Sequence, residues 1–266
     1  MEAALALPAS LRWKHLIATS PLAAPARALR AVAGRLRTLL RPELGLLLQE
    51  DRFLDACLAR LVQSNWHCVD VGAHIGAVSY RLSRLAPRGR LTIVEPRPAA
   101  AAALRARFPQ AVVHQAAVSD RAGEAVFHEN VAHPAFSSLS DRAMRGPSRA
   151  IPVQLARLDD LMRDERVDFL KLDVEGHEPA ALLGAEAVLR TRQPVVLFEA
   201  GAKDDPDLDD SAYDRMFVWL QGLGFAIRPV FHQYFGREAI ELTAFSACRR
   251  YPFTAFNFLA IPGDRA

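Results

Sequence analysis

The stretch HCVDVGAHIG, residues 67–76, changes character halfway along. Val69 and Val71 are β-branched and favour an extended backbone, Asp70 lies between them, and Gly72 and Gly76 follow just before a helical pattern begins near Ala77. A buried strand that runs into a glycine turn and then a helix is the opening unit of a parallel α/β sheet. In such sheets ligands bind outside the carboxyl ends of the strands. Gly72 is therefore expected to permit a turn closed to residues with a β-carbon, and Gly76 to let the helix start lie close to a ligand.

The pattern repeats along the chain. LTIVE (91–95), AVVHQAAV (111–118), VDFLKLDV (167–174) and PVVLFEA (194–200) read as strands, with helical stretches at 77–85, 99–107 and 179–189 between them. Short apolar strands separated by helices predict an α/β fold with a doubly wound, mainly parallel sheet covered on both faces. FAIRPVF (225–231) and TAFNFLAIP (254–262) are also strand-like and are expected to close the sheet as an antiparallel edge. Residues 124–160 are richer in turns and short alternating pieces, which suggests an insertion near the mouth of the site. With 266 residues, 51% of them hydrophobic, the chain can bury one sizeable core.

Residues 1–45 read as a basic helical extension, and 46–266 as the main domain. Arg12, Lys14, Arg27, Arg30, Arg35, Arg37 and Arg41 face a single acid, Glu2, before residue 43. Ala28, Val32, Leu36, Leu39 and Leu40 recur at helical spacing, so residues 27–40 form an amphipathic helix expected to dock on the protein's own body or a second copy. Weak peripheral association with an anionic membrane is the alternative, and the Arg-rich composition also resembles a transit peptide.

No apolar run is long enough to span a bilayer, and Met1–Ser20 lacks the order of a secretory signal. Three widely spaced cysteines, Cys57, Cys68 and Cys248, fit neither a disulfide framework nor a zinc site. A cytoplasmic location is expected. A net charge of +3 without basic clusters interleaved with aromatics does not favour nucleic acid as a partner.

The ligand of the glycine turn can be narrowed by chemistry. The dinucleotide fingerprint Gly-x-Gly-x-x-Gly is absent, which argues against an NAD-linked oxidoreductase. Glu95 ends the second strand, where a carboxylate accepts hydrogen bonds from ribose hydroxyls. A nucleoside without pyrophosphate, carrying a positive sulfonium beside Asp70, suits both acids, and S-adenosylmethionine has that description.

DVGAHIG, IVEPRP, AAVSDRAG, PVQLARLDDL, VDFLKLDVEGHEPAALLGA and PVVLFEAG, in this order, resemble the FkbM-type family of S-adenosylmethionine-dependent methyltransferases. The resemblance covers residues 67–202 and implies a Rossmann-like class I methyltransferase fold, usually acting on a hydroxyl oxygen of a small molecule or sugar. It implies cofactor contacts from Asp70, Gly72, His74, Gly76, Glu95, Ala116 and Asp173. His74 departs from the family's usual Asn, although either can donate a hydrogen bond. A partner subunit that binds the nucleoside without catalysis is a further alternative.

A second constellation follows the strand VDFLKLDV. Phe169, Lys171 and Asp173 share one strand face, and a Lys and an Asp there are expensive unless paired or used. Lys14, Lys171 and Lys203 are the only lysines among 33 basic residues, so a lysine inside an apolar run is not filler. His177, Lys171, Asp173 and Glu175 are the candidate acid–base residues, His177 first because its intrinsic pKa lies nearest neutrality. Glu178 and Glu199 are further candidates, and no metal is expected. Acceptor contacts are expected from His128, His133, Phe136, His232, Tyr234 and Phe235.

Overall fold

The computed structural model describes residues 9–130, 139, 148–203, 205–206 and 208–263. His133 and Phe136 lie outside the described residues. The chain begins with helices α1 (Ala9–Ala18), α2 (Ala23–Leu40) and α3 (Glu50–Leu61). An alternating series follows: β1 (Cys68–Val71), α4 (Ala77–Leu85), β2 (Leu91–Val94), α5 (Pro98–Arg107) and β3 (Val112–His114). Next come β4 (Ala117–Val118), β5 (Gly123–Asn130), β6 (Ser148–Ala156), α6 (Leu158–Leu161), β7 (Phe169–Leu172), α7 (Glu178–Leu183), α8 (Glu186–Arg192) and β8 (Val195–Glu199). The chain closes with α9 (Asp210–Gly222), β9 (Phe225–Pro229), α10 (Val230–Tyr234), α11 (Leu242–Cys248) and β10 (Asn257–Pro262).

The main sheet has the order β3-β2-β1-β7-β8-β10-β9. Its first five strands are parallel, and β10 runs antiparallel between β8 and β9. The two late segments thus close the sheet through antiparallel pairing, as expected, with β10 the reversed strand and β9 at the edge. All four residues of β1 and of β7 are buried, as parallel strands covered by helices on both faces require. The chain leaves β1 toward β2 on one side and reaches β7 on the other, so the crevice of the sheet opens at the carboxyl end of β1.

Two stretches divide differently from their sequence pattern. AVVHQAAV splits after His114: β3 stays in the main sheet, while β4 pairs with β6 in a separate sheet ordered β4-β6-β5. The region read as turn-rich therefore contains a long antiparallel pair, closed by a small core of Ala117, Phe127, Ile151, Val153 and Leu155. The helix expected over 179–189 breaks into α7 and α8 at Gly184, whose missing side chain lets the backbone of Ser119 pass where a Cβ would sit.

The N-terminal helices touch the main domain. His15 Nδ1 lies 2.8 Å from the carbonyl of Ile75, Arg107 hydrogen-bonds the Thr19 carbonyl, and Arg27 pairs with Asp55 at 2.9 Å. Contacts thus cross the boundary near residue 45. Among the described residues no helix is long and apolar enough to cross a membrane. The three cysteines are free and buried, and burial pushes Cys57 up to about 11 and Cys68 up to about 12.

Candidate functional site

The pocket at the carboxyl end of β1 is lined by Val71, Gly72 and His74, by Glu95, Pro96 and Arg97 after β2, and by Asp173, Val174 and Glu175 after β7. Ala116, Ala117 and Val118 form a small-residue wall, with Phe127 and Leu139 contributed from the β4-β6-β5 side. The ends of three neighbouring strands and the insertion therefore converge on one crevice.

Glu95 is the best-held carboxylate here, only 2% exposed. Its Oε2 accepts the His74 N–H at 2.8 Å, and its Oε1 accepts the Arg97 backbone N–H at 3.1 Å and Arg97 Nε at 2.8 Å. A carboxylate offers about four acceptor positions, so roughly one remains for a ligand hydroxyl. Arg97 Nη2 also lies 2.8 Å from His74 Nδ1. A guanidinium can only donate, so Nδ1 is the acceptor and the His74 proton sits on Nε2. Burial, then the neighbouring Arg97 charge, push His74 down to about 4, and it stays neutral. His74 has φ of 52°, a left-handed conformation that Asn and His tolerate better than most residues.

The glycines serve the protein's own packing. A Cβ on Gly72, at φ 71°, would overlap the carbonyl oxygen of Asp173, and one on Gly76, at φ 79°, would lie 2.7 Å from Leu104 Cδ2 and 3.0 Å from Phe108. The glycines make room for the β7 loop and for α5. Gly72→Ala is expected to destabilise the fold by about 3 kcal/mol, from left-handed strain plus overpacking. Chemical denaturation measures this, and a variant within about 0.5 kcal/mol of the parent contradicts it.

Parallel register places Asp70 beside Lys171. Asp70 is fully buried beneath the pocket: Ser79 Oγ donates to its Oδ2 at 2.5 Å, and Lys171 Nζ lies 3.3 Å from its Oδ1. Lys171 Nζ also donates to the carbonyls of Val71 at 3.1 Å and Gly72 at 2.7 Å, and lies 3.4 Å from Asp173 Oδ2. Burial alone would lower the Lys171 pKa, but Asp173 and Asp70 outweigh it and hold the ammonium above its ordinary value. Lys171 is thus a fixed cation tying the glycine turn to β7, with no lone pair to accept a proton near neutrality.

The loop after β7 is clamped from below. Glu178 is 1% exposed; its Oε1 accepts the Val174 N–H at 2.8 Å, its Oε2 accepts the Gly176 N–H at 3.0 Å, and Tyr213 donates its phenol to Oε2. Glu175 is held at φ 53° above this clamp and lines the pocket. His177 caps α7, with Nε2 3.0 Å from Ser119 Oγ, and does not line the pocket. Ser119 in turn donates to Asp120 at 3.0 Å.

Among the other expected contacts, Tyr234 and Phe235 pack on Phe53 of α3, with ring centroids 4.9 and 5.5 Å away. His232 Nδ1 donates to the Glu238 carbonyl at 2.9 Å, and His128 lies on β5. None of these four lines the pocket. Pocket-lining residues that sequence reading did not single out include Arg97, Ala117, Val118, Phe127 and Leu139. Arg97 follows Glu95 by two positions, a same-side spacing that could have paired them.

Glu199, at the end of β8, hydrogen-bonds Asp173. Burial, then the charges of Asp173, Glu175 and Glu178, raise its pKa well above the ordinary carboxylate range. The folded protein therefore keeps a proton that the unfolded chain has released, and stability falls as pH rises from the ordinary carboxylate range through the raised folded value. Glu199→Gln is expected to raise the melting temperature at neutral and alkaline pH and to flatten that decline. Melting curves recorded across pH check this; a variant that keeps the parental slope contradicts it.

A family model, the methyltransferase FkbM domain, matches residues 70–227. Among solved structures, the methyltransferase FkbM of Methylobacillus flagellatus KT is similar at 16% identity and a TM-score of 0.46, over 74% of this chain and 44% of that one. This chain thus spans less than half the length of that protein. An O-methyltransferase from Bacillus cereus in complex with SAH is similar at 13% identity and a TM-score of 0.44, over 78% of this chain and 77% of that one. Fibrillarin of Aeropyrum pernix, with natively bound S-adenosyl-L-methionine, is similar at 16% identity and a TM-score of 0.42, over 76% and 68%. None of the curated proteins is similar enough to match.

Proposed function

The chain belongs to the FkbM family of methyltransferases, and from that premise and its pocket we propose that it transfers the methyl group of S-adenosylmethionine to a hydroxyl oxygen of a small molecule or sugar. The observation that carries this reading is the buried Glu95 carboxylate, held by Arg97 and the His74 N–H with about one acceptor position left beside an apolar wall.

The residues fit this cofactor. Glu95 would accept from a ribose hydroxyl, Ala116, Ala117 and Val118 would flank the adenine, and His74 Nε2–H is a donor fixed by its Arg97 partner. Asp173 and Glu175 put negative charge where a cationic sulfonium gains from it. When bound, the cofactor supplies an electrophilic methyl group. Asp70 and Lys171 act below the pocket, fixing the glycine turn against β7.

Among the acid–base candidates, Asp173 and Glu175 line the pocket. We assign Asp173 as the group that accepts a hydrogen bond from the acceptor hydroxyl, orients its oxygen and takes its proton as the new ether bond forms. Lys171, 3.4 Å from its Oδ2, holds this carboxylate in place. His177 then serves as a positioning residue that joins the loop to Ser119.

Incubation with S-adenosylmethionine labelled in its methyl group, over a panel of polyols, sugars and phenols, tests the reading. Label in an alkali-stable ether linkage is expected. Label on nitrogen or carbon, or in an ester released by alkali, contradicts it.

A further inference from the structure

The described part of α1 and α2 presents large apolar side chains to solvent on a strongly basic background. Trp13 is 69% exposed, Leu29 72%, Leu39 80% and Leu40 84%, with Leu16, Leu22 and Val32 also more than half exposed. The buried side of α1 is a different one, made of His15 and Ala18 with Thr19 just after the helix, so docking on the main domain leaves the Trp13 and Leu16 stripe uncovered. In α2, Leu29, Val32, Leu39 and Leu40 follow helical spacing, while Ala23 is buried and Arg27 is paired with Asp55. Arg12, Lys14, Arg37 and Arg41 are exposed.

We propose that these two helices seat the protein on an anionic lipid surface, with Trp13, Leu39 and Leu40 entering the interfacial region and the exposed basic side chains meeting lipid phosphates. Tryptophan at an interface, leucines on one side of a helix and Arg or Lys around them are the chemistry that a bilayer of anionic lipid recognises. Charge decides between this occupant and a second copy of the chain. An isologous dimer would bring the patch against itself, and residues 1–42 carry seven basic side chains and one acid, so like charges would oppose one another. Nucleic acid would satisfy the cations but leave the apolar stripe exposed.

The arrangement also links the surface to the pocket. His15, on the buried side of α1, touches the Ile75 carbonyl, within the turn that carries His74 and Gly76. A lipid-seated α1 thus holds the same turn that frames the pocket.

Flotation of the full chain with vesicles tests the proposal. Binding to phosphatidylcholine vesicles containing phosphatidylglycerol, about tenfold or more above binding to phosphatidylcholine alone and weakened by added salt, is expected. Arg37→Glu with Arg41→Glu, and separately Trp13→Ala with Leu39→Ala and Leu40→Ala, should each lower vesicle binding by about tenfold. All five positions are exposed, so melting temperatures should stay at the parental value. Trp13 emission should shift to the blue on anionic vesicles and be quenched by brominated lipid. Equal binding to neutral and anionic vesicles, binding to neither, or concentration-dependent dimerisation abolished by the apolar triple variant would each overturn the proposal.

Discussion

Glu95→Ala is expected to weaken S-adenosylmethionine binding by about 2–4 kcal/mol, with S-adenosylhomocysteine affected alike. One charge-assisted hydrogen bond to a ribose hydroxyl accounts for roughly 1.5–3 kcal/mol. The remainder comes from the loop, because the same carboxylate holds the His74 N–H and both the backbone and Nε of Arg97. Removing it leaves Arg97, 5% exposed, without its buried counter-ion, so the turn framing the pocket loosens as well. Glu95→Gln separates the two contributions. It retains an acceptor oxygen but turns an amide toward existing donors, and its affinity should fall between the parent and Glu95→Ala. Titration calorimetry measures both, and parental affinity in Glu95→Ala would show that the ribose is bound elsewhere.

Asp173→Asn is expected to lower turnover by about 10²- to 10⁴-fold, the usual contribution of a positioned general base. The amide keeps the shape of the side chain and loses its proton affinity. Lys171 retains Asp70 and the Val71 and Gly72 carbonyls in this variant, so the fold should survive and cofactor affinity should change within about tenfold. His177→Ala should cost far less, because its Nε2 is engaged with Ser119 and the ring does not line the pocket. Single-turnover rates with saturating cofactor provide the comparison. A larger loss in His177→Ala than in Asp173→Asn would return the base to His177.

The parallel half of the sheet was legible because its strands are buried on both faces. Val69 to Val71, Ile93 to Val94 and Phe169 to Leu172 are continuous apolar runs interrupted only by residues that pair with one another, Asp70 with Lys171. The small sheet was partly legible: Ile151, Val153 and Leu155 alternate with Pro152 and Gln154, a period-two signal inside a stretch dominated by turn residues. The break after His114 could not be read, since Ala117 and Val118 suit either sheet and only the partner strand β6 decides.

The site divides in the same way. Glu95 and Asp173 were recognisable because strand-end position is a property of local sequence. What surrounds them was not. The Glu178 clamp depends on Tyr213, 35 positions later, and the Ser119 partner of His177 lies 58 positions earlier. Lys171 could be suspected from its rarity, but its two carbonyl partners, which make it a fixed cation, follow only from the register of β1 against β7. Gly72 was expected to permit a turn and Gly76 to let the helix start approach a ligand; the protein atoms packed against these positions, from Asp173, Leu104 and Phe108, follow only from the tertiary structure.

The central claim is that this crevice holds S-adenosylmethionine, and calorimetric titration of the full chain with S-adenosylmethionine, S-adenosylhomocysteine and NAD tests it most directly. One-to-one binding of the two sulfur nucleosides, weakened in Glu95→Ala, with no heat from NAD, is the predicted result. Binding of NAD instead, or sulfur-nucleoside binding unchanged in Glu95→Ala, would contradict it.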